Sequence, residues 1–150
     1  MSRGLVLLIV ATAAASAQAA YSACYWAVND AMKAVPTAAQ LSACSSQCSA
    51  NAADIQKFLA NPNCSMSADP YDAATCDPII ANCTKCVLKA AKLLKADNTF
   101  DETAFKATTL QNKCSADAKF KAAYPTCKNS TMKYLNLSRL FRCLFTAVNP

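Results

Sequence analysis

Cys83 and Cys86 are separated by two residues, the spacing of a redox pair or of half a zinc site. A redox pair belongs at a helix start that follows a strand, and a zinc site needs further ligands at matching spacing. Neither setting is present here. The pair lies in a stretch with helical periodicity, and the 150-residue chain contains no histidine. Cysteines three or four apart on one helix are poorly oriented to bond each other, so Cys83 and Cys86 should each bridge to another element. The same holds for Cys44 and Cys48.

The missing histidine also removes Ser-His-Asp triads, Cys-His dyads and His-dependent hydrolase sites. Asp69, Asp72 and Asp77 could in principle pair carboxylates for acid–base work, but these residues in a polar loop serve as turns and caps. A calcium loop lacks its spacing and its glycine. Gly4 is the sole glycine, which excludes glycine-rich phosphate loops and dinucleotide fingerprints. No catalytic, cofactor-binding or metal-ligating residue is assigned, and the chain is expected not to be an enzyme.

The compartment follows from the first residues and from the cysteines. Arg3, the apolar run Leu5 to Ala15 and the small residues Ala15-Ser16-Ala17-Gln18-Ala19 form a secretory leader, with residues 1–19 expected to be cleaved. The apolar run is too short to span a bilayer, so no transmembrane segment is expected after cleavage. Residues 20–150 then form a single cysteine-rich domain, expected to be secreted and extracellular. All ten cysteines lie in it: Cys24, Cys44, Cys48, Cys64, Cys76, Cys83, Cys86, Cys114, Cys127 and Cys143. An even count in an exported chain implies a disulfide framework. Loss of Arg3 lowers the formal charge from +6 to +5, which suits either solubility or an acidic partner. No nucleic-acid-binding motif appears, and no nucleic-acid partner is expected.

The fold expected to position these residues is all-α: a compact, disulfide-stapled bundle of about five to seven helices. Tight hairpin turns are costly without glycine, alanine and lysine abound, and no apolar–polar alternation occurs. A first helix spans about 21–35 and ends at Pro36. Thr37 and Gln40 form a capping box for a second, carrying Leu41, Cys44, Cys48, Ile55 and Leu59 in one phase. Residues 61–76 form a polar loop. Asp77-Pro78 starts a third helix, with Ile80, Cys83, Val87 and Leu94 inward. Thr99 and Glu102 make a second capping box, and Ser115 caps a short helix ending at Tyr124-Pro125. A last helix spans roughly 130–148, with Leu137, Phe141, Leu144 and Val148 on one face.

In antiparallel helical hairpins, bonded cysteines lie equidistant from the turn. Cys24 and Cys48 are centred on Pro36, and Cys83 and Cys114 on the 98–99 turn, so the pairs Cys24–Cys48 and Cys83–Cys114 are expected. Two surfaces stand out as candidates for binding. Lys85, Lys89 and Lys92 form a basic stripe on the outward face of the third helix, where a solvated face is the ordinary reading. Trp26, the single tryptophan, falls about 200° from Cys24 at ~100° per residue, beside Asn29, Asp30 and Lys33. Sequons occur at Asn63, Asn82, Asn129 and Asn136; the first two have a cysteine in the middle, which leaves Asn129 and Asn136 as glycosylation candidates. The last helix carries Lys133, Arg139 and Arg142 beside phenylalanines. It is read as a packed terminal helix in preference to a membrane-surface one.

Cys24 followed by Cys44-x3-Cys48 on helices resembles insect odorant-binding proteins, a resemblance that implies carriage of small hydrophobic ligands. The later spacings, the ten cysteines and the basic charge depart from that family. The alanine-rich, histidine-free helical character is similar to elicitin-type sterol carriers, whose cysteine spacing differs. The expected function is a secreted binding protein for a small hydrophobic molecule or lipid. The alternative is an effector or toxin-like protein acting on a cell-surface protein or membrane.

Overall fold

The computed structural model describes residues 21–49 and 51–150. The leader expected over residues 1–19 lies outside them. Helix α1, Ala23–Ala34, starts where Ser22 Oγ accepts the Tyr25 N–H and donates in turn to Asp117 Oδ2 at 2.8 Å. It stops at Val35, whose extended backbone is what a following proline demands.

The expected capping box forms at Thr37 and Gln40, opening α2, Ala38–Ala43. The expected single second helix does not. It divides into α2, α3 (Ser45–Ser49) and α4 (Ala52–Ala60). The polar stretch between them explains the breaks, because serine and asparagine side chains compete with helical hydrogen bonds. Ser49 Oγ donates to the Ser45 carbonyl, and Asn51 Oδ1 takes the Asp54 N–H to cap α4. The all-α bundle therefore contains eight α-helices among the described residues, above the five to seven expected.

Helix α5, Ala73–Ala90, begins five residues before Pro78, capped by Asp72 and not by Asp77. Pro78, the sixth residue of α5, has no N–H to give the Ala74 carbonyl, and the helix continues through it. The end of α5 is a Schellman motif made without glycine. The Leu93 N–H bonds the Leu88 carbonyl at 2.8 Å, the Lys92 N–H bonds the Lys89 carbonyl, and Lys92 takes φ 58°. Leu88 and Leu93 supply its buried apolar contact.

The stretch after the expected Thr99–Glu102 capping box is irregular. A tight turn closes an antiparallel bridge between Leu94 and Phe100. Asp101, not Thr99, caps the short α6, Glu102–Ala104, since Thr99 Oγ1 is held by Asp97. A π-helical turn follows at Phe105–Thr109. Asp117, not Ser115, caps α7, Ala118–Thr131, which runs on through Pro125. A 3₁₀ turn at Met132–Tyr134 and a left-handed Leu135 lead to α8, Leu137–Val148, capped by Asn136. The last helix thus starts at Leu137 and not near Ser130.

Leu137, Leu140, Phe141, Leu144 and Val148 of α8 are all buried, as the apolar face requires. With α1, α7, Leu88, Leu93, Phe105 and Leu110 they form one continuous core. Helix α8 packs against both α1 and α7, which accounts for its apolar face within the protein.

The five bonds are Cys24–Cys114, Cys44–Cys86, Cys48–Cys83, Cys64–Cys76 and Cys127–Cys143. The expected Cys24–Cys48 and Cys83–Cys114 pairs are thus incorrect: these four cysteines exchange partners. The physical reason lies at Pro36. The chain after it does not fold back along α1; α2, α3 and α4 pack on α5 instead. Cys44 and Cys48 therefore meet Cys86 and Cys83 in reversed order, with Cα separations of 5.8 and 4.3 Å. Cys24 faces the core, where the loop after the π turn brings Cys114 to 4.4 Å. As expected, neither Cys44 with Cys48 nor Cys83 with Cys86 bonds within its own spacing.

Candidate binding cleft

The segment from α6 through the π turn lies beside α7, and a cleft of about 380 Å³ opens between them. Its apolar lining comes from Leu110, Phe120, Tyr124 and Pro125, and its rim from Glu102, Lys106, Asn112, Ser115 and Lys121. The π turn widens the backbone spiral by one residue per turn, a distortion that recurs where helices meet ligands.

Asp117 starts α7 so that Phe120 and Tyr124, four residues apart, share one face. Their ring centroids are 5.0 Å apart, and Tyr124 stacks on Phe105 at 6.3 Å. Lys106 Nζ sits 4.3 Å from the Tyr124 ring centroid. Glu102 holds Lys106 Nζ at 2.6 Å through one oxygen and Lys128 Nζ at 2.8 Å through the other. Those two ammonium groups keep the Glu102 carboxyl below its ordinary value. Tyr124 is 4% exposed, and its hydroxyl is buried with no hydrogen-bond partner among the described residues. Burial, with the Glu102 carboxylate nearby, pushes the phenol upward, so it stays a neutral donor.

A second cleft of about 370 Å³ runs along α1 and α8, lined by Met32, Val35, Met66, Phe141, Arg142 and Phe145. Methionine suits adaptable apolar contact.

Trp26 is 51% exposed, off the buried seam of α1 as its angular position requires. It is not alone. Tyr21 and Tyr25 lie 5.5 and 5.2 Å from it, and Tyr25 reaches Phe145 at 5.1 Å. Lys85 and Lys89 are exposed on α5 and flank a shallow depression shared with Gln47, Asn82 and Asn98. Lys92 is exposed but lies beyond α5, at its left-handed cap, so the three-lysine stripe is not one helix face.

Asn129 is exposed, though on the last turn of α7 and not in a loop. Asn136 is corrected as a glycosylation candidate. It is 0% exposed, and its Nδ2, the atom a glycan would occupy, donates to Asp77 Oδ1 at 2.7 Å. Asp77 also accepts from the Tyr71 hydroxyl at 2.8 Å, and Arg139 stacks over the Tyr71 ring at 4.0 Å. Of the three loop carboxylates, Asp72 caps α5 and Asp77 is buried in this network, so these two have structural partners.

Sequence reasoning passed over the first cleft. The Glu102–Lys106 and Phe120–Tyr124 spacings were legible as helical pairs. Reading Tyr124-Pro125 as a helix end hid the face they make. No helix among the described residues is long and apolar enough to cross a membrane. Comparison with protein-family models, curated proteins and solved structures finds nothing that matches this chain.

Proposed function

We propose that this is a secreted, non-enzymatic carrier of a small hydrophobic molecule. The supporting observation is the cleft floored by Phe120 and Tyr124, close in size to the low end of ordinary small-molecule sites. Five disulfides fit export to an oxidising compartment, and they would keep an open cleft from collapsing. The absence of histidine leaves the cleft without the usual general base, which favours holding a ligand over transforming it.

Native mass spectrometry of the oxidised protein, followed by solvent extraction, tests the reading. A co-purifying apolar molecule, or saturable binding of N-phenyl-1-naphthylamine at one equivalent, is the expected result. Ser115→Trp, which places bulk at an exposed rim position, should abolish it. A protein that arrives empty and binds no dye would refute the carrier.

One observation favours a second reading, an effector or toxin-like protein acting at a cell surface. Tyr21 and Trp26 expose about half of their surface in one aromatic patch, the residue type most enriched where proteins bind. Under that reading an empty protein binds cells or liposomes, and Trp26→Ala weakens the binding without lowering stability.

A further inference from the structure

We infer that the cleft between the π turn and α7 takes an anionic amphiphile, its apolar body on Phe120 and Tyr124 and its carboxylate, sulfate or phosphate head beside Lys121. This rests on the carrier reading and adds the charge of the ligand. Lys121 lines the cleft one residue after Phe120, is exposed, and makes no ion pair among the described residues. The acid four residues before it, Asp117, is engaged elsewhere: it accepts the Phe120 N–H and the Ser22 hydroxyl. An ammonium at the edge of an apolar floor is therefore left for a solute to meet.

The charges around the cleft carry one sign in excess. Glu102 is its one lining carboxylate among the described residues, and it already faces two ammonium groups, Lys106 and Lys128. Glu102 also borders an adjoining depression, whose other charged residues are Lys95, Lys128 and Lys133. Across the two depressions one carboxylate meets five lysines, Lys95, Lys106, Lys121, Lys128 and Lys133. A basic concavity concentrates anions and repels cations. Lys106 Nζ, 4.3 Å from the Tyr124 ring centroid, brings part of that charge to the apolar wall itself. An exposed lysine alone holds an anion weakly, and an apolar floor alone fixes no orientation. A molecule with both parts uses both surfaces.

The test compares one tail under three heads. Decanoate, decanol and decyltrimethylammonium, each below its micelle concentration, are titrated by calorimetry into the oxidised wild type, Lys121→Gln, Lys121→Glu and Ser115→Trp at neutral pH. Wild type should bind decanoate tightest and the cation weakest. Lys121→Gln should weaken decanoate about fivefold, the scale of one partly exposed ion pair, while leaving decanol and the melting temperature unchanged. Lys121→Glu should weaken decanoate further and strengthen the cation. Added salt should weaken decanoate and spare decanol. Acetate, a head without a tail, should not bind. If decanol or the cation binds wild type tightest, or decanoate binds both Lys121 variants as it binds wild type, this inference falls while the carrier stands. If no amphiphile binds wild type, acetate binds as well as decanoate, or Ser115→Trp binds all three amphiphiles unchanged, the carrier reading at this cleft falls with it.

Discussion

The two halves of the molecule are held together by different physics. Helices α1, α7 and α8, with the segment from Leu88 to Cys114, share one apolar core in which Phe105, Leu110, Leu140 and Leu144 are fully enclosed. The arm from α2 through α4 has almost no part in it. None of those three helices buries a side chain, and Leu41 and Leu59 are exposed. Among the described residues between Thr37 and Cys86 the buried apolar side chains are Cys44, Cys64 and Cys76 alone, each in a disulfide. One half is a hydrophobic core reinforced by two bonds. The other is a set of short helices fastened to α5 by covalent links, with the Tyr71–Asp77–Asn136 network joining it to α8. Disulfides thus replace burial where burial is scarce.

Removing both staples should have the largest effect. Substituting Cys44, Cys48, Cys83 and Cys86 by alanine forfeits about 2–5 kcal/mol per bond. The loss should be local: amide exchange over residues 38–60 rises towards unprotected rates while α1, α7 and α8 keep their protection. An arm that stays protected would show that Ile55 and Phe58 hold it, and the contrast would collapse.

Phe141→Ala, in the other half, should cost about 3–5 kcal/mol and lower the melting transition of the core elements together. Leu59→Ala should stay within about 0.5 kcal/mol. Comparable losses at the two positions would mean that the arm has a core of its own.

At the hinge between the halves, Lys92→Gly should stabilise by about 1 kcal/mol, seen as a higher urea midpoint with an unchanged slope. The left-handed conformation at Lys92 strains any side chain, and glycine would relieve it.

The smallest effect concerns the cleft. Glu102 in the folded protein has its carboxyl below the ordinary 4.5, through Lys106 and Lys128. Its contribution is therefore present above the unfolded value and fades as pH falls through the folded one. Glu102→Gln should lower the melting temperature slightly at neutral pH, with the gap closing in acid, and salt should shrink it because the groups are partly exposed.

Elements governed by neighbours along the chain are legible from the residues alone. The Thr37–Gln40 box, the stop at Pro36 and the buried face of α8 depend on residues within a few positions of one another. Helix starts are harder wherever two candidate caps stand close. Asp72 competes with Asp77, Asp101 with Thr99 and Asp117 with Ser115, and in each case the aspartate that wins leaves its rival bonded elsewhere or buried. Angle alone places Trp26 off the main seam, but its company of Tyr21, Tyr25 and Phe145 depends on α8 arriving beside α1.

By itself the sequence determined that the chain is helical and that its ten cysteines have partners, because composition and periodicity act locally. Which cysteines pair was decided only by the tertiary structure. A disulfide usually has its two Cα atoms about 4.4–6.8 Å apart, and that distance depends on which elements pack together. The hairpin rule assumed that neighbours in sequence fold back on each other, whereas the apolar faces of α1 and α8 drew those two helices together across the length of the chain. Cys24 went with them to Cys114, leaving Cys48 for Cys83. The same packing buried the Asn136 side chain and left the Tyr124 hydroxyl without a partner among the described residues. Both outcomes turn on what surrounds a side chain in space, which residue spacing along the chain does not encode.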